Sequence, residues 1–203
     1  MECRSVKPGN SMNQQEKQVV ANFERLVRSR SSENGRVVDA FAFRPNMAGT
    51  LVGKLREELD SLVRVIYLEN TPDVRERLRL MSLTIAGDKW NRLTSNGKHA
   101  QITDRDMVDM ANNLNRWSKS VYRFGCAFIH LSSFHDYGDV DPFLQLDATE
   151  RQDVLTHLRY YHGGPQNQSP TFSDVVDYLP MVYLKIRDNL DCHLSNLIGT
   201  FPI

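Results

Sequence analysis

Apolar residues recur at Met107, Met110, Leu114, Trp117, Val121, Phe124, Phe128 and Leu131 in alternating steps of three and four. That spacing predicts one amphipathic helix of about seven turns. Beside this seam lie mostly small residues, among them Ala111, Ser118, Gly125 and Ala127, so neighbouring helices are expected to approach closely. The opposite face begins polar, with Asp109, Asn112, Asn115, Arg116 and Lys119. It ends mixed, with Tyr122, Cys126 and Ile129 flanking Arg123 and His130, which predicts that this end is covered by another element or a second subunit.

Similar patterns mark the other elements. Asn13 to Arg30 reads as a helix with Val19, Val20, Phe23, Leu26 and Val27 inward, ended by the Ser29–Gly35 cluster. Val37 to Phe43 is the one plausible strand or extended connector. Asn46 is a suitable N-cap for a helix through Glu69, with Leu51, Leu55, Leu59, Leu62, Val63 and Ile66 inward and Lys54, Arg56, Glu57, Glu58 and Arg64 outward. Thr71, Pro72 and Asp73 open a helix that Gly87 interrupts, and Thr94 to Gln101 is a turn-rich loop. Thr103 with Asp106 forms a capping box before the long helix; Asp147 with Glu150 starts another that ends at Gly163 and Gly164. Thr171 with Asp174 opens a final segment to about Leu197, where Pro180 marks a kink or a short helix before a longer one. Together these elements predict an all-α fold, a helical bundle with a four-helix core and additional packed helices. Residues 1–12 read as a flexible leader and 13–203 as one domain.

Composition narrows the function classes. Twenty-five Lys plus Arg against 25 Asp plus Glu give no net charge, which argues against a general electrostatic binder of DNA or anionic membranes. Three cysteines, Cys3, Cys126 and Cys192, have no CxxC spacing and predict neither a disulfide framework nor a Cys-based zinc site. A cytoplasmic setting is expected, with no membrane span. His130, His135, Asp136, Asp139, Asp141, His157 and His162 match no established ligand spacing, so no metal and no cofactor is expected. Arg75, Arg77 and Arg79 read as a surface face, with guidance of an RNA backbone as the other reading. In HLRYYH, Tyr160 or Tyr161 is expected to pack on the core, with base stacking as the alternative.

The candidate chemistry lies in YRFGCAFIH, where Arg123 and His130 stand seven residues apart. On one helix that places them about 20° apart in azimuth and roughly 10 Å apart in height, so both reach one phosphate. An Arg offers a charged fork to phosphate oxygens, and a His moves protons near neutral pH. The segment resembles the R-x(4 to 6)-H motif of the HEPN superfamily, over a helical pattern spanning residues 45–197, with Phe124 where many members carry a polar residue.

The resemblance implies a small all-helical, metal-independent endoribonuclease of prokaryotic toxin or phage-defence systems, acting as a homodimer and in some systems held by an antitoxin. Arg123 and His130 would then be catalytic. Arg116, Lys119 and His135 are the neighbouring groups expected to hold RNA. The alternative is a catalytically inert helical module for protein–protein interaction or regulation, in which Arg123 forms an ion pair and His130 is a satisfied, half-buried side chain.

Overall fold

The structure, a computed structural model, describes residues 12–42, 44–94, 96–114, 117–129 and 139–202, with the backbone alone at 114 and 127–129. Its helices in chain order are α1 (Gln14–Phe41), α2 (Ala48–Glu69), α3 (Val74–Ala86), α4 (Asp104–Leu114), α5 (Ser118–Ile129), α6 (Pro142–Gln145), α7 (Ala148–His162), α8 (Phe172–Val176) and α9 (Leu179–Gly199). A short antiparallel pair, β1 (Asn91–Leu93) and β2 (His99–Gln101), stands where a turn-rich loop was expected. The fold is all-α. Helix α2 is its axis, packed by α1, α9, α4 and α5, and Leu51, Leu59, Leu62, Val63 and Ile66 are fully buried along it.

Helix α1 runs eleven residues past its expected end at Arg30, into the segment expected to be a strand. The buried stripe explains this. It passes through Val20, Phe23, Val27, Ser31, Asn34 and Val38, keeping helical spacing although two of its members are polar. Those two face Glu58 of α2, which is wholly buried. Ser31 donates its hydroxyl to one carboxylate oxygen, and Asn34 Nδ2 donates to the other at 2.9 Å. Gly35 lies beneath Tyr183, whose hydroxyl would stand 3.3 Å from an added Cβ and donates to the Ser31 carbonyl at 2.9 Å. Burial and the nearby Glu58 charge push the Tyr183 hydroxyl up to about 12, so it remains a donor at neutral pH.

Helix α2 begins after a 3-10 turn, Pro45–Met47, with Met47 rather than Asn46 at its N-cap. Two of its expected outward residues, Arg56 and Glu58, are buried instead, because the helix is surrounded. Arg56 places its guanidinium 4.3 Å from the centre of the Tyr122 ring and donates to Asp104 Oδ2 at 3.0 Å, while Arg64 reaches the other Asp104 oxygen at 3.3 Å. Two arginines of α2 thus grip the first residue of α4, where a negative charge also suits the helix dipole. Asp73 caps α3, and Gly87 ends it with φ of 78°, a left-handed conformation that favours glycine. Of the expected surface trio on α3, Arg77 is buried, donating to Thr200 Oγ1 at 2.7 Å and tying α3 to the end of α9.

The seven-turn helix is instead two helices, α4 and α5, with Trp117 in a turn between them. The Lys119 amide donates to Asn112 Oδ1 at 3.3 Å, seven residues back. On a straight helix those positions stand about 10 Å apart, so the axis cannot be continuous there. The apolar pattern survives the break because Met107, Trp117 and Phe124 are still buried, while Met110 and Val121 are half-buried. Leu114 and Phe128 have side chains outside the described set. The capping box of Thr103 and Asp106, the αL end of α7 at Gly163, and the short-then-long arrangement around Pro180 follow the expectation.

Gly125 is where α5 touches α2: an added Cβ would sit 2.9 Å from Arg56 Cβ. Because that atom belongs to a fixed stem, Gly125→Ala should force the helices apart and destabilise the fold by about 1–3 kcal/mol, measurable by urea denaturation. A second prediction concerns Asp60, half-buried between Arg64 at 3.2 Å and Arg30 at 2.9 Å. Burial alone would raise its pKa, but the two guanidiniums outweigh it and hold the carboxyl below the usual range. The folded value is below the unfolded one, so the stabilisation is complete above the ordinary carboxylate pKa and fades as pH falls through the folded value. Urea midpoints should therefore drop on acidification below about pH 4. Asp60→Asn should be less stable at pH 7 and show a shallower acid loss.

Candidate functional site

Arg123 leaves α5 toward α7 and is 47% exposed, with Nη1 3.5 Å from Glu150 Oε1. One turn earlier, Lys119 Nζ lies 3.7 Å from Asp109 Oδ1. Ser120 Oγ stands 3.3 Å from His157 Nδ1 on α7. Between these helices opens a recess of about 250 Å³, with Asn112, Lys119 and Arg123 on one side and Glu150, Asp153 and His157 on the other. The chain places these groups by simple local means. Asp147 caps α7 by accepting from the Glu150 amide at 2.8 Å, which sets the first turn that carries Glu150. The α4–α5 break, held by Asn112, turns Lys119 and Arg123 onto the same side as the start of α7.

Electrostatically the recess is balanced, with two basic side chains and two acidic ones lining it. The Arg123–Glu150 pair is long and half-exposed, a class of contact worth at most about 1 kcal/mol. A phosphate oxygen offers Arg123 a stronger, two-pronged contact. His157 differs from an ordinary surface imidazole. Burial lowers its pKa below 6.5, against the opposing pull of the Asp153 charge and backbone carbonyl, so it is neutral at pH 7 and fit to accept a proton. His162 at the end of α7 is lowered as well, by burial and then by Lys185.

Of the residues singled out from sequence, Arg123 and Lys119 lie in one recess, whereas His130, Arg116 and His135 fall outside the described residues. The mixed end of α5 is covered within the chain: Tyr122 carries the Arg56 guanidinium and Cys126 lies beside the same group. The expected two-fold interface therefore shares two of its three anchors with an intrachain contact. Tyr160 is 79% exposed and projects into solvent, whereas Tyr161, the more covered of the two, is not in the core but lines the edge of an apolar cavity beside His157 and Lys185. Among the described residues no three His, Cys, Asp or Glu side chains converge to hold a metal. Asp141, one of the acids weighed for such a role, caps α6 and accepts the Phe172 amide at 2.9 Å. No helix among the described residues is long and apolar enough to cross a membrane.

Ser120 and His157 were not candidates for catalysis from sequence, although the signal exists. Val154, His157 and Tyr161 share one face of α7 at helical spacing, so a histidine was due at the packed edge of that helix. No protein-family model, curated protein or solved structure matches this chain.

Because the ion pair is weak, Glu150→Gln should alter stability by less than about 1 kcal/mol. It should also strengthen binding of inorganic phosphate at Arg123, followed by ³¹P or amide chemical shifts. A larger stability loss without phosphate binding would make the pair structural.

Proposed function

We propose that this chain is a metal-independent endoribonuclease in which Arg123 holds the scissile phosphate. The observation that carries the reading is that Arg123 and a neutral His157 line one open recess between α5 and α7. Cleavage of RNA without a metal needs three events: removal of the 2′-hydroxyl proton, attack of the 2′ oxygen on phosphorus with charge building on the phosphoryl oxygens, and return of a proton to the departing 5′ oxygen. The guanidinium answers the charge with a fixed fork. A neutral imidazole takes the first proton, and His157 is kept in that form by burial. His130 is assigned the second transfer on the strength of the sequence motif alone. Lys119 adds a second cation beside the phosphate path. A role as a toxin or phage-defence effector, a homodimeric assembly and control by an antitoxin belong to the same proposal through the HEPN resemblance.

The internal pairing of Lys119 with Asp109, Arg123 with Glu150 and Ser120 with His157 favours a second reading, a helical interaction module without catalysis. Incubating the purified chain with RNA in EDTA separates the two. Cleavage should persist without divalent metal, should spare DNA, and should fall about a hundredfold or more in Arg123→Ala and His130→Ala. Arg123→Lys should also be poor, because a point charge loses the two-pronged contact. In the wild type the acid limb of kcat/KM should lie below pH 6.5, and His157→Ala should remove that limb along with most activity. Undiminished cleavage by Arg123→Ala, or no cleavage by the wild type, leaves the interaction module.

A further inference from the structure

A second cavity adjoins the Arg123 recess, lined by α2, α5, α7, α8 and α9. Its walls are almost wholly apolar, built from residues such as Leu55, Trp117, Phe124, Leu158, Val175 and Leu179. The void is about 60 Å³, several times the room one water needs, in a lining that offers water few partners. The polar groups that reach it are largely accounted for: Ser120 and His157 meet each other at 3.3 Å, and burial keeps both His157 and His162 uncharged at neutral pH. Lys185 is different. It is half-buried, it is the one formal charge lining the cavity among the described residues, and no carboxylate among those residues lies within ion-pair distance of it. Its Nζ rests 3.9 Å from the centre of the Tyr161 ring, a neutral stand-in for a counter-ion.

An uncompensated cation at the edge of a small apolar chamber specifies a ligand in two parts. The charge asks for an anion, and one ammonium matches one negative charge; a dianion would leave half its charge unmet. The chamber asks for a short hydrocarbon tail and rejects a polar one. We propose that the α5–α7–α9 cavity binds a short-chain carboxylate, its tail among Trp117, Phe124 and Leu158 and its carboxylate on Lys185. The site is independent of the ribonuclease reading, although Ser120, Phe124, Val154 and His157 line both recesses.

The probes are butanoate, acetate and 1-butanol, titrated into the full chain at pH 7 and followed by calorimetry and by Trp117 and Lys185 NMR signals. Butanoate should bind saturably and about tenfold tighter than either acetate, which lacks the tail, or 1-butanol, which lacks the charge. Lys185→Met should bring butanoate down to the level of 1-butanol while 1-butanol binding is unchanged, which also shows that the variant is folded. Val182→Phe, placing bulk into the same lining, should weaken both ligands. Equal affinity for butanoate and 1-butanol in the wild type, retention of the preference in Lys185→Met, or no saturable binding of any probe would overturn the proposal.

Discussion

Everything in this fold is arranged around a helix that has no solvent face to spare. Because α2 is packed by α1, α4, α5 and α9, its polar side chains must find partners inside the protein. Glu58 is the severe case. A wholly buried carboxyl group without a cation is tolerable only when donors meet its oxygens, and Ser31 and Asn34 supply them. Removing either donor would leave a buried acceptor unmet, a larger loss than one surface hydrogen bond. That demand fixes the register of α1 against α2 and explains why α1 continues through a serine-rich stretch that otherwise favours a turn. Tyr183 extends the constraint to α9 by reaching over Gly35 to the Ser31 carbonyl.

Arg56 plays the corresponding part on the other side of α2. Its stem fills the space left by Gly125, its guanidinium covers Tyr122, and its charge meets Asp104 at the start of α4. One side chain thereby sets the distance of α5 and the entry of α4, and with them the direction from which Lys119 and Arg123 approach α7. The Nε of Arg56 has no hydrogen-bond partner among the described residues, so the site tolerates one unmet donor in exchange for close helix contact. The candidate recess is a secondary result of this packing. It forms where α5, held against α2, leaves a gap beside the first turns of α7.

Helical class and most helix ends were legible because apolar spacing and capping residues act locally. Thr103, Asp147 and Thr171 each cap the helix that follows from their own side-chain chemistry, while the helix expected from Pro72 begins two residues later, capped by Asp73. What escaped were features decided by distant partners. Ser31 and Asn34 read as turn formers until Glu58, more than twenty residues away, makes them core donors. Arg56, Glu58 and Arg77 read as surface because charge alone says nothing of enclosure. The α4–α5 break was hidden because the apolar period passes through it without a skip, and only the Asn112 side chain bonding the Lys119 amide reveals it. Arg123 and Lys119 were recognisable as outward cations, whereas His157 becomes a candidate only when α7 is set beside α5. Tyr160 shows the converse, an aromatic residue of a pair assigned to the core by type yet left in solvent by the rotation of α7, which brings only Tyr161 to the edge of a cavity.

The packing of α2 against α9 has a consequence for how the chain is made. These helices form the most extensive pairing among the described residues, yet roughly a hundred residues separate them in sequence. A chain emerging from the ribosome therefore presents the apolar side of α2 long before its principal cover exists, with α1, α4 and α5 available only as partial shields. Synthesis that pauses before α9 would leave a long greasy helix face accessible to chaperones or to other nascent chains, and closure of the core is a late, long-range event.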